Sequence, residues 1–343
     1  MEGVPVTVEE VKRILAGEAP PEVGPEDRAL VEGYREAMNF VLRRADDAAF
    51  RWNRELIIGL HDRVLAGKYS QGAGRLRTDQ PAYVINGITG EQVFIPPPGD
   101  DVPALVDEAC VRMEQAHPHP AIASAWIHVA VAAIHPFKDG NGRSARVLAS
   151  LAMYRGGFKR PEFTSLEEWW GRHLADYYAA FACLGSEFHR ESDITPFLKT
   201  HIEAHLHQVR ALDMREKVQG QIWTALEELA EDVNLHPRVA NALWDAFFGR
   251  AVTAGYYRSI ADVSPATATK DLAASVTSGL LKAEGRRRGR QYVATEQLYD
   301  AVGGALFMEV SGPLTTARQR IISELTRRAT QTGDAFGLTR ASG

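Results

Sequence analysis

Cysteine is scarce in this chain, with only two among 343 residues. Cys110 and Cys183 both lie in apolar stretches with helical spacing, so the sequence predicts buried thiols rather than a disulfide framework. No apolar run reaches the ~20 residues that a membrane-spanning helix needs. No secretory signal opens the chain either. Together these absences predict a cytoplasmic protein that does not enter a membrane.

An excess of positive charge is missing as well. The chain has 39 Lys and Arg against 44 Asp and Glu, a net charge of −5, so no basic footprint for nucleic acid covers the whole molecule. Its 45% of apolar and 24% of charged residues are ordinary for a globular protein. At this length we expect two or more domains.

The residues that carry chemistry are concentrated in one short segment. Residues 135–146 have the sequence HPFKDGNGRSAR. The preceding residues 121–134 are almost wholly apolar and predict a buried helix, and residues 144–154 have a second helical pattern. The segment is therefore predicted to be a loop between two core helices, and its glycine-rich end opens the second helix.

The glycine-rich end has the properties of a phosphate site. Gly140 and Gly142 allow backbone N–H groups to converge without Cβ clashes. The start of a helix offers N–H donors and a partial positive charge. Arg143 and Arg146 are three residues apart, so both guanidinium groups can point to the same side of the helix and pair with phosphate oxygens.

The beginning of the segment supplies a base and a carboxylate. His135 titrates near neutrality and can accept the proton of a hydroxyl group. Asp139 can hold a Mg²⁺ ion that is shared with phosphate groups. Alone, a glycine-rich turn is usually only a turn, and a single histidine is usually structural. The combination predicts phosphate transfer from a nucleotide to a hydroxyl group.

The segment resembles the Fic family motif, His-Pro-Phe-x-Asp/Glu-Gly-Asn-Gly-Arg-x-x-Arg, at every specified position. The resemblance implies an all-helical enzyme that transfers AMP from ATP to a Ser, Thr or Tyr hydroxyl of a target protein. The site residues that it implies are the general base His135, the Mg²⁺ ligand Asp139, the anion-binding nest Gly140, Asn141 and Gly142, and the triphosphate ligands Arg143 and Arg146. Arg146 is expected to hold the γ-phosphate.

The resemblance extends to a predicted β-hairpin before the motif. Residues 83–87 and 92–95 flank a glycine-containing turn. Fic proteins have a hairpin called the flap at this place, and a Gly-x-x-Arg stretch similar to the one that ends at Arg77 leads into it. The resemblance implies that a target protein docks by strand addition on the flap, between Val84 and Gly87.

Further helices are predicted on both sides of the motif. Residues 26–45 and 50–66 precede it, and residues 165–182 and 194–212 follow it. Tyr177 resembles an aromatic residue that borders the nucleotide in Fic proteins, with plain core packing as the alternative. His128 is interpreted as a structural residue of the helix before the motif.

The C-terminal part resembles a winged helix, a module often appended to Fic domains. Helical patterns at residues 222–229, 239–248, 256–261 and 265–272 precede a predicted two-stranded wing with a basic tip at residues 284–293. Lys270 and the stretch from Arg286 to Arg290 are expected to lie on the phosphates if the module binds DNA. Protein contacts, or a homodimer, are the alternatives. Residues 313–329 predict one more helix, followed by a flexible tail.

The N-terminal segment has a feature of its own. Glu2-Gly3 resembles the end of an inhibitory helix whose Glu pairs with the second motif arginine in many Fic proteins. Because the residues before Glu2 that would complete this pattern are missing, we expect weak pairing with Arg146 and substantial basal self-modification. An arbitrary chain start is the alternative.

The sequence therefore predicts a mainly α fold: a Fic-type helical core with a small β-hairpin flap, followed by a C-terminal winged-helix domain. The predicted parts are residues 1–25 with the inhibitory remnant, 26–212 as the Fic catalytic domain, 213–300 as the winged helix, and 301–343 as a helix and tail. The predicted function is AMPylation with ATP and Mg²⁺. Competing functions are removal of AMP, transfer of another group such as UMP or phosphocholine, and DNA-binding regulation with a Fic sensor.

Overall fold

The computed structural model describes residues 8–15, 17–66, 68, 72–78, 82–85, 90–115, 117–160, 164–286, 289–308 and 313–335. They form two compact units that divide between Val209 and Arg210. The predicted domain boundary lies close by, at residue 212. Glu2, Asn86 and Gly87 lie outside the described residues. No helix in the ranges above is long and apolar enough to cross a membrane.

The first unit consists of helices and one short hairpin. Its elements are α1 (Val8–Leu15), α2 (Pro25–Ala45), α3 (Arg54–Val64), β1 (Val84–Ile85), β2 (Gln92–Phe94), α4 (Val102–Glu114), α5 (Pro120–Ile134), α6 (Asn141–Arg155), α7 (Glu167–Arg172) and α8 (Leu174–Ala179). Short 3-10 turns follow β2 at Gly99–Asp101 and α8 at Ala180–Leu184. The next helix, α9 (Thr195–Asp232), begins in this unit and ends in the second.

Helices α5 and α6 form the centre of the first unit, and α2, α3 and α4 pack around them. Almost every side chain of α5 is apolar or small, so the helix can be buried on all sides. It begins at Pro120, after the N-cap His119, whose Nδ1 accepts a hydrogen bond from the Ala121 N–H at 3.1 Å. The motif segment joins the end of this buried helix to the start of α6.

The second unit combines short helices with a two-stranded hairpin. After the end of α9 it contains α10 (Ala240–Phe247), α11 (Ala254–Ala261), α12 (Pro265–Thr277), β3 (Leu281–Glu284), β4 (Gln291–Ala294), α13 (Glu296–Ala305) and α14 (Leu314–Ala335). Strands β3 and β4 are antiparallel, with Leu281 opposite Ala294 and Glu284 opposite Gln291. This unit has its own hydrophobic core.

The turn between α11 and α12 is tight and well capped. Asp262 is left-handed at φ 49°, and the Ser264 hydroxyl accepts a hydrogen bond from the Thr267 N–H at 3.1 Å. Pro265 occupies the first position of α12, where its missing N–H costs nothing. The predicted helix at residues 265–272 is present and continues for five further residues.

Two predictions about helices are wrong. Residues 165–182 form α7, α8 and a 3-10 turn instead of one helix, because His173 leaves the helical region with ψ 48°. The separate helices predicted at 194–212 and 222–229 are parts of the continuous α9. Residues 213–221 contain good helix formers, and the single glycine among them, Gly220, is tolerated at about 1 kcal/mol.

The mainly α-helical class with a small hairpin is confirmed. Both cysteines are free thiols. Cys110 is buried as predicted, and burial raises the pKa of its thiol to about 12. Cys183 is only half-buried.

Candidate active site

The motif segment leaves α5 through a left-handed residue. His135 is the C-cap of α5 with φ 50° and ψ 57°, and its N–H donates to the Val131 carbonyl at 3.0 Å. This backbone region is disfavoured for residues with a Cβ atom. The left-handed turn ends α5 abruptly and directs the chain into the loop that carries the rest of the motif.

The loop is held in shape by the Asn141 side chain. Its Oδ1 accepts a hydrogen bond from the Phe137 N–H at 2.9 Å, and its Nδ2 donates to the Phe137 carbonyl at 2.8 Å. Asn141 is 4% exposed. Since the amide group is occupied by the loop itself, the part of Asn141 that can face a nucleotide is its backbone N–H.

His61, on α3, contacts the same loop and was not predicted as a site residue. Its ring stacks on Phe137 with centroids 3.6 Å apart. Its Nδ1 accepts from the Gly74 N–H at 3.1 Å, so its Nε2 carries the proton and donates to the Asp139 carbonyl at 2.9 Å. Burial lowers the pKa of His61, which favours this neutral tautomer.

The start of α6 is a glycine turn whose geometry suits an anion. Gly140 is the N-cap with φ 73°, and its N–H donates to Asp139 Oδ1 at 2.6 Å. A Cβ atom at position 140 would lie 3.2 Å from Leu65 Cδ2, so both backbone angle and space favour glycine. The first N–H groups of an α-helix have no intrahelical acceptor, so the start of this 15-residue helix offers donors to an anion.

Arg143 and Asp139 lie beside this turn. Arg143 Nη2 is 3.5 Å from Asp139 Oδ2, and the Asp139 side chain is 58% exposed. Among the residues that the structure describes, no group of three or more His, Cys, Asp or Glu side chains is placed to hold a metal ion. A single exposed carboxylate fits Mg²⁺ that is bound mainly by phosphates and water.

Arg146 is buried deeper than Arg143, in a polar cage. Its side chain is 5% exposed, and its Nε donates to Glu167 Oε1 of α7 at 2.5 Å. Its Nη1 donates to the Tyr177 hydroxyl of α8 at 3.1 Å. Tyr34 of α2 donates to the same Glu167 oxygen at 3.3 Å. Glu167 was not predicted as part of the site.

A buried hydrogen-bonded chain continues from Tyr177. His128 Nε2 lies 3.2 Å from the Tyr177 hydroxyl, and His201 Nε2 lies 3.1 Å from His128 Nδ1. Because Arg146 can only donate, the simplest arrangement has Tyr177 donate to His128 and His128 donate to His201. Burial lowers the pKa of both histidines well below the usual value, and the Arg146 charge lowers that of His128 further.

Tyr177 and its neighbour Tyr178 differ in exposure. Tyr177 is 5% exposed and Tyr178 is 58% exposed. Tyr177 packs with Leu166, Trp170 and Ala204 in a small core. Tyr177 is therefore a core residue, in line with the core-packing alternative, and its hydroxyl contacts Arg146.

The hairpin before the motif has one covered edge. Val84 pairs with Phe94, and Ile85 pairs with Gln92. Directly after β2, the Ile95 N–H donates to the Ser186 carbonyl, and the Phe188 N–H donates to the Ile95 carbonyl, both at 2.9 Å. Phe94 is buried against α5, so the hairpin stands beside the end of the helix that carries His135.

The basic residues named for the second unit are at the surface. Lys270 lies exposed on α12, and Arg286 and Arg290 are exposed next to β3 and β4. Residues 287 and 288 lie outside the described ranges.

Comparison with known proteins agrees with this geometry. Residues 51–153 match the sequence model of the Fic/DOC family. The chain contains a Fic domain. The match includes α3, the hairpin, α5, the motif segment and most of α6.

Among the proteins that are similar in sequence to part of this chain are three adenylyltransferases. Protein adenylyltransferase fic-1 of Caenorhabditis briggsae is 34% identical over 167 residues, which are 44% of this chain and 27% of the relative. The protein of the same name from Caenorhabditis elegans gives the same figures. Protein adenylyltransferase Fic of Nematostella vectensis is 32% identical over 146 residues, 42% of this chain and 30% of the relative. The chain thus spans under a third of the length of these relatives.

Two crystal structures share the fold. A Fic family protein from Desulfovibrio desulfuricans G20 superposes with a TM-score of 0.54 at 20% identity, covering 86% of this chain and 83% of that one. A Fic domain containing signaling protein from Bacteroides thetaiotaomicron superposes with a TM-score of 0.51 at 22% identity, covering 62% and 80%.

Proposed function

We propose that the Fic domain transfers AMP from ATP to a Ser, Thr or Tyr hydroxyl of a target protein, including the chain itself. The observation that carries the proposal is the complete motif segment, folded as one loop against the N-terminus of α6, with Arg143 and Arg146 following on the same helix. Relatives named protein adenylyltransferase, about 34% identical, support it.

Each motif residue has a part in this reaction. The backbone N–H groups of Gly140, Asn141 and Gly142 bind phosphate oxygens, and Arg143 and Arg146 neutralise the triphosphate. His135 takes the proton of the target hydroxyl while the oxygen attacks the α-phosphorus. The bond between the α-phosphorus and the bridging oxygen breaks, and pyrophosphate leaves with the electron pair. Positioning and charge neutralisation supply most of the rate enhancement in such transfers.

Asp139 is the residue of this loop that would hold a Mg²⁺ ion. Its carboxylate is 58% exposed beside the phosphate-binding turn, so an ion that arrives with the nucleotide can reach it. Such an ion neutralises charge on the phosphates when bound. Asp139 Oδ1 already accepts the Gly140 N–H, which orients the carboxylate.

The target segment docks on the flap by strand addition, on the strand that contains Val84 and Ile85. Main-chain pairing binds an extended peptide with little demand on its sequence. Ile85 is 59% exposed and Tyr83 is 50% exposed, so the side chains at this strand are accessible to a partner.

A second candidate function is DNA binding by the second unit as a winged helix. Lys270 on a capped helix and Arg286 and Arg290 beside a hairpin form the exposed basic surface that favours it. A gel-shift assay across salt concentrations tests this function, and absence of binding to any DNA at low salt would exclude it.

The test of the transfer reaction compares the chain with its His135→Ala form. Both are incubated with labelled ATP, Mg²⁺ and a cell lysate. We expect label on protein with the unmodified chain and almost none with His135→Ala. His189→Ala, at an exposed histidine of the same unit, is the matched control and keeps the activity. Undiminished transfer by His135→Ala would remove the assigned base.

A further inference from the structure

Arg77 joins three separate parts of the first unit through main-chain carbonyls. Its Nε donates to the His135 carbonyl at 2.7 Å. Its Nη2 donates to the Pro97 carbonyl at 2.7 Å and to the Ile134 carbonyl at 3.0 Å. Its own backbone N–H donates to the Pro136 carbonyl at 2.9 Å. One residue thus binds the end of α5, the start of the motif loop and the chain that leaves β2.

The end of α5 needs such a partner. The last carbonyls of a helix have no intrahelical donor, and they carry a partial negative charge. Arg77 supplies a cation and several N–H groups in fixed geometry, and hydrogen bonds from a charged donor are about twice as strong as neutral ones. Burial lowers the pKa of its guanidinium, but arginine remains charged near neutral pH.

The geometry of His135 depends on this contact. A left-handed residue with a Cβ atom is strained, and its surroundings have to hold it in that conformation. Here the Val131 carbonyl accepts the N–H of His135, and Arg77 holds its carbonyl. The backbone angles at this residue set the direction of its Cα–Cβ bond, so Arg77 contributes to aiming the side chain.

The third acceptor, Pro97, belongs to the flap side of the molecule. Pro97 follows β2 after Ile95 and Pro96, and it lines a cavity of about 830 Å³ together with Thr78 and Phe188. The same guanidinium therefore fixes the exit of the hairpin and the carbonyl of His135. Movement of one relative to the other would break a charge-assisted hydrogen bond.

We propose that Arg77 is a positioning residue that aims His135 and ties its orientation to the flap. This inference rests on the proposed AMP transfer. Arg77 has no assigned contact with the nucleotide in this proposal. Within the part of the chain that the structure describes, its guanidinium group contacts the carbonyls of residues 97, 134 and 135. Asn141 and His61 hold the nest at residues 140–142.

Substitution of Arg77 should lower the rate of transfer without weakening nucleotide binding. In Arg77→Ala we expect kcat to fall about a hundredfold, the size of effect that a small displacement of a catalytic group produces. In Arg77→Lys we expect a fall of about tenfold, since an ammonium group cannot bind three carbonyls in the same geometry. In both variants the Kd for ATP should change by less than about twofold. Arg75→Ala, at an exposed arginine of the same segment, should change neither quantity.

A rescue experiment separates positioning from general loss of structure. Millimolar guanidinium ion, far below denaturing concentration, should restore part of the kcat of Arg77→Ala, because the free cation can occupy the vacated position. It should not restore His135→Ala, which serves as the control. Loss of ATP binding in proportion to kcat, an unchanged kcat, or the absence of rescue would overturn the inference.

Failure of the proposed function would be visible separately, because the unmodified chain would then transfer no AMP. In that case amide hydrogen exchange tests whether Arg77 couples the hairpin exit to the end of α5. Arg77→Ala should exchange faster than the unmodified chain at Ile95 and at the amides of residues 134, 135 and 137 together, with residues 141–146 unchanged. Faster exchange at only one of the first two segments, or equal acceleration at residues 141–146, would contradict the coupling.

Discussion

At the scale of single residues, Arg146 has an unusual environment for a residue expected to bind phosphate. It is nearly buried, and its charge is already shared between the Glu167 carboxylate and the Tyr177 hydroxyl. The sequence predicted weak pairing between Arg146 and Glu2, and it did not predict a carboxylate partner elsewhere in the chain. Glu167 lies 21 residues beyond Arg146, on a different helix. Local sequence patterns do not predict that these two helices pack together.

The charge of Glu167 should oppose nucleotide binding. In Glu167→Gln the side chain can still accept the Arg146 Nε–H, but it no longer neutralises the guanidinium. We expect ATP to bind about threefold to tenfold more tightly, which corresponds to the effect of one partly screened charge at short range. Calorimetric titration measures this, with the exposed Glu203→Gln as control. Weaker ATP binding in Glu167→Gln would mean that the carboxylate mainly orients Arg146.

The Tyr177 hydroxyl should matter more than that of its neighbour. Tyr177→Phe removes the hydroxyl oxygen that lies between Arg146 and His128, so both of these buried side chains lose a hydrogen bond. We expect the free energy of unfolding to fall by about 1–3 kcal/mol and ATP binding to weaken. Tyr178→Phe, at a side chain 58% exposed, should change neither. Chemical denaturation and ATP titration of both variants provide the comparison. Equal effects of the two substitutions would rule out a special role for the buried hydrogen bonds of Tyr177.

At the scale of elements, the turn that opens α6 depends on a backbone that only glycine adopts easily. Gly140→Ala adds a Cβ atom at φ 73° and close to Leu65. We expect a loss of about 1–2 kcal/mol of stability together with weaker ATP binding, because the nest must distort. Gly220→Ala is the opposite control: its Cβ would meet open space in α9, and it should stabilise by up to about 1 kcal/mol. Unchanged stability and ATP binding in Gly140→Ala would show that the turn accommodates a Cβ atom.

Local patterns predicted the elements around the site well, because apolar spacing and the glycine-rich turn are short-range signals. Helix α5 was predicted one residue short, and α6 was predicted to begin three residues late. The break at His173 was missed, because it depends on a single backbone angle rather than on a helix-breaking residue type. His61, Glu167 and the carbonyl contacts of Arg77 were missed because each joins parts of the chain that are far apart in sequence.

At the scale of the whole molecule, the buried histidines make stability depend on pH. His128 and His201 have lowered pKa values in the folded protein, whereas in the unfolded chain they titrate near pH ~6.5. Above that pH both states are neutral. Below it the unfolded state binds protons that the folded state excludes, so stability falls as the pH falls.

This dependence should amount to as much as about 1.4 kcal/mol per pH unit for each histidine below about pH 6.5. Urea unfolding between about pH 7.5 and about pH 5.5 measures it. The double variant His128→Gln, His201→Gln should lose most of the slope, and the exposed His189→Gln should keep it. The same slope in the double variant would assign the pH dependence to other groups.

The left-handed backbone of His135 has opposite consequences for activity and for stability at one position. Glycine adopts φ 50° without strain, whereas a residue with a Cβ atom costs about 1 kcal/mol or more there. His135→Gly should therefore melt later than His135→Ala, while neither variant transfers AMP. Backbone strain alone would favour glycine at this position, and the proposed role of His135 as the base gives a reason for a residue with a side chain there.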